Sequence, residues 1–331
     1  MNQLLTALLV AGSALVVGSA AQANSLDKPG SLLLFPYFSN GGGPTSEGEG
    51  PVGTQTFITV TNTNNNFNQA GQLFVGTVDV EFVYINGENC LEFNRTRRLT
   101  PNDTITVSSL LDNPNAQRGY LYVFAKSPTS GAAISWNFLE GDSIVVSPQR
   151  ALSTNIPPVV YQAIGAQGSN TDVDGDGIRD LNNVEYSANA AELHIPRFIA
   201  APNSSLILIG LTGSRFTTIA NFLAYNDNEE AFSGQVAFDC WDIRPLYQIS
   251  GIFTNTFLQS TNHNPLESFG GNETGWIRMW GATAFSTAQQ RSNPAMLAVR
   301  VDLTAFGSLP YGIGTNTNGD LLVLGPFYDN N

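Results

Sequence analysis

Leu33-Leu34-Phe35-Pro36-Tyr37-Phe38 and, 160 residues later, Leu193-His194-Ile195-Pro196-Arg197-Phe198 are two versions of one phrase. In both, a proline stands two residues before an aromatic and the flanking apolar positions match without a gap. Proline lacks an N–H, so the phrase predicts a strand at a sheet edge, where no ladder bond is lost. A second pair follows in the same order. Gly119-Tyr120-Leu121-Tyr122-Val123-Phe124-Ala125 aligns with Gly275-Trp276-Ile277-Arg278-Met279-Trp280-Gly281, 156 residues apart. Aromatics at alternate positions are the period-2 signature of a strand. Between these anchors each half holds an alternating run, 76–85 and 233–241, with one cysteine nearby. Two matches in one order at nearly equal offsets predict a duplicated β unit.

Outward from these anchors, the first half reads as strands at 57–61, 78–85, 104–107, 120–125 and 134–139. Polar turns separate them at 62–68, at Asn86-Gly87 and at 99–103. The second half reads as strands at 206–211, 217–224, 235–241, 277–281 and 297–303. Short strands with turns every eight to twelve residues indicate an antiparallel sandwich. No long segment has the 3.6-residue period of a helix, although 159–165 fits a helical turn. The expected fold is all-β: two tandem related β-sandwich units, immunoglobulin-like or jelly-roll-like, at 24–150 and 191–331, joined by a segment at 151–190. Leu99-Thr-Pro-Asn-Asp-Thr-Ile-Thr-Val107 also resembles the strand-entry segment of bacterial immunoglobulin-like modules.

An apolar run at 4–17, followed by Ala21-Gln22-Ala23, fits an export signal spanning 1–23, although its first residues hold no Lys or Arg. No later apolar run approaches the roughly 20 residues of a membrane-spanning helix. The expected location is extracellular or cell-surface, with the periplasm left open. The chain carries 27 acidic and 14 basic residues, a net charge of −13. That balance argues against nucleic acid as a partner, because binding it requires neutralising phosphates with Lys and Arg. Cys90 and Cys240 are too few for a disulfide scaffold. In an exported chain they either pair or stand as two buried thiols.

Between the two units the chain reads Asp172-Val-Asp174-Gly-Asp176-Gly177-Ile178-Arg-Asp180-Leu-Asn-Asn183. This segment resembles the DxDxDG calcium loops of dockerins and thrombospondin type 3 repeats and, more distantly, the EF-hand. Ca²⁺ takes six to eight hard oxygens, and carboxylates at positions 1, 3 and 5 of a tight loop converge on one point. Gly177 permits the sharp turn that aims the Ile178 carbonyl inward, and Asp180 acts directly or through water. Position 12 is Asn183, a single neutral oxygen where these loops offer a bidentate carboxylate, so either affinity falls or Glu185 substitutes. The resemblance implies a structural Ca²⁺.

Candidates for catalysis are sparse. Neither His194 nor His263 has a metal-ligand neighbour at helical or strand spacing, and no G-x-S-x-G elbow is present. His194 reads as a packed core or edge residue, and His263 as solvated. The carboxylate pairs Asp79/Glu81, Glu47/Glu49 and Glu229/Glu230 are what any acidic chain supplies. Trp276, Arg278 and Trp280 share one strand face, as do Tyr120, Tyr122 and Phe124. Such a face serves as core with Arg278 reaching to the rim, as a platform for sugar rings or a protein partner, or as the contact between the units. The reading is a secreted, non-catalytic surface or matrix protein for adhesion, assembly or polysaccharide binding. Its partners would be polysaccharide, a cell-surface protein or further copies of itself. The alternative is an extracellular, carbohydrate-active hydrolase.

Overall fold

The computed structural model describes residues 28–41, 53–66, 75–113, 116–147, 152–213, 215–226, 230–261, 271–302 and 306–321. The segment 1–23, expected to be an export signal, and Glu47, Glu49, Glu229 and His263 lie outside them. Among the described residues strands make up 57% and helix 7%, in several antiparallel sheets with no barrel, which defines an all-β sandwich. No helix among the described residues is long and apolar enough to cross a membrane.

The first half supplies β1 (Leu32–Ser39), β2 (Gln55–Asn62), β3 (Val78–Asn86), β4 (Glu92–Leu99), β5 (Thr104–Ser108), β6 (Arg118–Lys126), β7 (Leu139–Ser147), β8 (Leu152–Asn155) and β9 (Val159–Tyr161). They form one sheet in the order β4-β3-β6-β1-β9 and another in the order β5-β2-β7-β8. A two-residue strand β10 (Asp180–Leu181) follows. The second half supplies β11 (Glu192–Ile199), β12 (Ser204–Leu211), β13 (Thr217–Asn226), β14 (Ala231–Phe238), β15 (Trp241–Pro245), β16 (Thr274–Phe285), β17 (Gln290–Ser292), β18 (Ala295–Asp302), β19 (Phe306–Ser308), β20 (Tyr311–Ile313) and β21 (Gly319–Asp320). Its sheets run β14-β13-β16-β11-β20, with β17 on β16, and β15-β12-β18-β19, while β21 pairs β10.

The two halves repeat one another down to the register. Leu33 opposes Val123 and Phe35 opposes Leu121; after a bulge, Phe38 opposes Gly119. In the second half Leu193 opposes Met279 and Ile195 opposes Ile277; after the same bulge, Phe198 opposes Gly275. The bulge corrects the edge-strand expectation. β1 and β11 each have a partner on both sides, and Pro36 and Pro196 sit inside the register shift, where no ladder N–H is required.

Three apolar clusters show that the four sheets are stacked. One fills the first sandwich, between β2 (Ile58, Val60) and β1 and β3 (Leu33, Phe35, Phe82). Another fills the second, between β12 (Leu206, Leu208) and β13 and β16 (Phe222, Ile277, Met279). The third lies between the halves: Leu32, Leu34, Tyr120, Tyr122 and Phe124 pack on Ile207, Ile209, Trp241, Leu297 and Val299. The two middle sheets are therefore covered on both faces. That explains why LLLFPYFS in β1 and SSLILIGL in β12 are continuous apolar runs with all eight residues buried, whereas β13, on an outer sheet, alternates along its full length. Tyr120, Tyr122 and Phe124 thus form contact between the units, one of the three roles open to them in the sequence.

This seam is also pinned covalently. Cys90 and Cys240 are bonded, with Cα atoms 6.0 Å apart and a sequence separation of 150. Beside the bond, the indole N–H of Trp241 donates to the Pro36 carbonyl at 3.0 Å. Its ring stacks on Tyr37 at 6.2 Å, and a Cβ on Gly87 would come within 2.2 Å of that ring. Two further expectations need adjusting. The helical turn at 159–165 is instead strand β9 at its start, because Val159 and Val160 pair with Leu34 and Leu33. And 152–161, expected in the joining segment, completes both sheets of the first half.

Candidate metal loop and aromatic sheet face

The acidic loop is built by its own side chains. Asp174 accepts the amide N–H of Asp176 at 3.2 Å, and Asp176 accepts that of Ile178 at 2.7 Å. Each such bond curls the backbone by one step. Gly175 and Gly177 take the left-handed conformations, φ +78° and +82°, that this curl demands. Asp172, Asp174 and Asp176 converge, each with a carboxylate oxygen within 4.8 Å of the others, a group that could hold a metal ion. Asp172 Oδ1 is buried and accepts no hydrogen bond among the described residues, an orphaned anionic oxygen of the kind a cation satisfies. The donors are all hard carboxylate oxygens, which suits a hard divalent cation.

Of the seven candidate residues in this loop, Asp172, Asp174 and Asp176 bring their carboxylates together, and the other four make hydrogen bonds or strand pairings of their own. Glu185 is buried and spends both oxygens on the loop's backbone, accepting from Val173 N at 2.6 Å and Asp180 N at 3.2 Å. Asn183 lies at φ +65° and accepts from Ala188 N at 2.7 Å. The Ile178 carbonyl accepts from Arg179 Nε at 2.9 Å. Asp180 lies in β10, opposite Asp320, and its carboxyl is pushed up to about 7. Burial is the main cause, followed by the negative charges of Asp320, Glu185, Asp176 and Asp174.

The loop is set at the seam. The Arg179 guanidinium lies 5.0 Å from the Phe124 ring centroid, on the first half. β10 pairs with β21 of the second half, and Leu181 and Tyr186 enter the core between the halves.

The second candidate is the outer face of the β14-β13-β16-β11-β20 sheet. β16 alternates: Ile277 and Met279 point into the second sandwich, while Trp276, Arg278 and Trp280 face out and are half-buried. Tyr225 lies parallel on Trp276, centroids 4.1 Å apart and planes 4° apart, and His194 covers its other side at 5.6 Å. Arg278 is held by a fork of two bonds, Nε to Glu192 Oε2 at 2.6 Å and Nη2 to Glu192 Oε1 at 2.5 Å, and lies 5.6 Å from the Trp280 ring centroid. The fork holds the Glu192 carboxyl below the usual carboxylate range. The register sets Leu223, Arg278, His194 and Tyr311 in one row across four strands, and Tyr311 is 69% exposed. Asn221 and Gln235, joined at 2.8 Å, add amide donors and acceptors beside Trp280.

His194 is therefore a platform residue rather than core. Tyr225, Glu192 and Tyr311 were not singled out from the sequence. The signal for them is the duplication. At the positions where the first half buries Leu32, Leu34 and Tyr122 against its neighbour, the second half carries Glu192, His194 and Arg278.

No protein-family model matches the chain, and no curated protein matches it. The fold and these two sites define an all-β sandwich protein with an acidic, metal-competent loop at its seam and an open aromatic sheet face.

Proposed function

We propose that this is an exported, non-catalytic surface or matrix protein that holds polysaccharide on the outer face of its second unit, with Ca²⁺ in the acidic loop. The observation that carries the reading is the Tyr225–Trp276–His194 stack on the outer sheet face, in line with the exposed Tyr311. Sugar rings present flat C–H faces to aromatic rings and hydroxyls to the groups around them, here Arg278, Glu192, Asn221 and Gln235. The Arg278–Glu192 fork supports a pre-formed site, since side chains held before binding lose less freedom on binding. Bound Ca²⁺ would neutralise the crowded carboxylates, and a loop touching both units would then stiffen the seam.

The test is binding of the mature protein to a broad glycan panel. Saturable binding is expected, and Trp276→Ala should weaken it at least ~10-fold, roughly the loss of one stacked ring. A folded wild-type protein that binds no glycan, or a Trp276→Ala variant that binds as well as wild type, would overturn the reading. The metal is tested separately by thermal melting. Ca²⁺ in excess should raise the melting temperature, since a ligand at about 100 times its Kd adds ~2.7 kcal/mol. Asp174→Asn/Asp176→Asn should abolish that rise. Identical melting curves in Ca²⁺ and in chelator would remove calcium from the account.

A further inference from the structure

We infer that β14 is a self-association edge, and that two copies of this chain join there as a two-fold dimer with one continuous sheet. The duplication supplies the comparison. β4 and β14 occupy the same place in the repeated order, each at the end of its sheet. β4 carries Glu92, Arg95, Arg97 and Arg98, the kind of charge that keeps a free edge from pairing. β14, Ala231-Phe-Ser-Gly-Gln-Val-Ala-Phe238, has no charged residue and no proline in eight positions. Its outer side pairs with no other strand among the described residues. An edge of that length without charge is a template for another strand.

The occupant follows from the pattern about Gly234. Outward from that residue in both directions come Ser233 and Gln235, then Phe232 and Val236, then Ala231 and Ala237: polar, apolar, small on each side. The hydrogen-bond phase agrees. Asn226 N donates to Glu230 O at 3.1 Å, and the β13–β14 register is unbroken from that pair, so even-numbered residues bond to β13. Residues 231, 233, 235 and 237 therefore aim N–H and C=O away from the sheet. All four of these residues are exposed.

Antiparallel pairing centred on Gly234 sets Ser233 opposite Gln235 of the second copy and Ala231 opposite Ala237. Every bonded pair then falls on an outward-directed residue, giving about eight new backbone hydrogen bonds. Phe232 meets Val236 on the inner side, and the two glycines meet at the axis. A strand of unrelated sequence would satisfy the ladder but not this symmetry. Both outer faces lie on the same side of the joined sheet, with the two β16 strands five strand spacings apart, about 24 Å.

The pairing does not depend on what the aromatic face binds, so its test is separate. Sedimentation of the mature protein over a wide concentration range should show a monomer–dimer equilibrium. Gln235→Pro should weaken it at least ~10-fold, while the melting temperature at a concentration where both proteins are monomeric stays unchanged, because the lost N–H faces away from β13. Ser233→Arg/Gln235→Arg, which copies the charge of β4 and keeps every N–H, should have the same effect. A wild-type protein that stays monomeric, or a dimer that persists undiminished in both variants, would overturn the inference.

Discussion

Cys90→Ser/Cys240→Ser is expected to lower stability by about 5 kcal/mol, the largest single effect in the molecule, and to lower the melting temperature by on the order of 10 °C. The bond closes a loop of 150 residues, and the loop entropy removed from the unfolded chain grows with loop length. The loss should fall on the joined molecule. The core between the halves is continuous and survives the substitution, so the double variant should still melt in one transition. Calorimetry under oxidising conditions measures both quantities. A loss below about 1 kcal/mol would mean that packing alone already holds the seam. Two separate transitions would mean that the bond, rather than the core, couples the halves.

Trp241→Ala should cost about 3–5 kcal/mol by denaturant titration. The ring is buried between Tyr37, Arg118 and Gly87, so truncation leaves a cavity in a packed interface. It also strips the buried Pro36 carbonyl of its donor, which adds to the penalty. Trp241→Phe, which keeps most of the volume and loses the N–H, should cost roughly 1–2 kcal/mol. Gly87→Ala gives an internal check. Its Cβ would fall 2.2 Å from the Trp241 ring, so it should be severely destabilising in wild type and nearly neutral beside Trp241→Ala. Additive losses in that cycle would show that the clash is relieved elsewhere.

The strand pattern and the duplication could be read from the sequence because both are local: alternation declares a strand, and a repeated phrase declares a copy. The Asp172–Asp174–Asp176 cluster is legible for the same reason, since Asp174 and Asp176 each accept from an amide two residues on and the spacing sets the curl. What was hidden depends on distant partners. Tyr120-Leu-Tyr122-Val-Phe124 and Trp276-Ile-Arg278-Met-Trp280 look alike in sequence, yet one is sealed in the seam and the other faces solvent. Only the docking of one sandwich on the other, through Ile207, Ile209 and Trp241, separates the two fates. The sequence could not show that Glu185 also ties two backbone amides, because those partners, Val173 and Asp180, are set by the fold of the loop. Pro36 reads as an edge residue because a bulge leaves no local signature.

The outer face of the first unit's β4-β3-β6-β1-β9 sheet receives the second unit's β15-β12-β18-β19 sheet, the counterpart of the one at the far end of the first unit. The units are thus arranged as successive members of a row, like bricks laid in one direction, and not as a pair facing each other. Such a row has a growing end, and here that end is the sheet of Trp276. Leucine at 192 and 194 and tyrosine at 278 would be the change that opens the row to a third member; Glu192, His194 and Arg278 are, in this sense, its full stop.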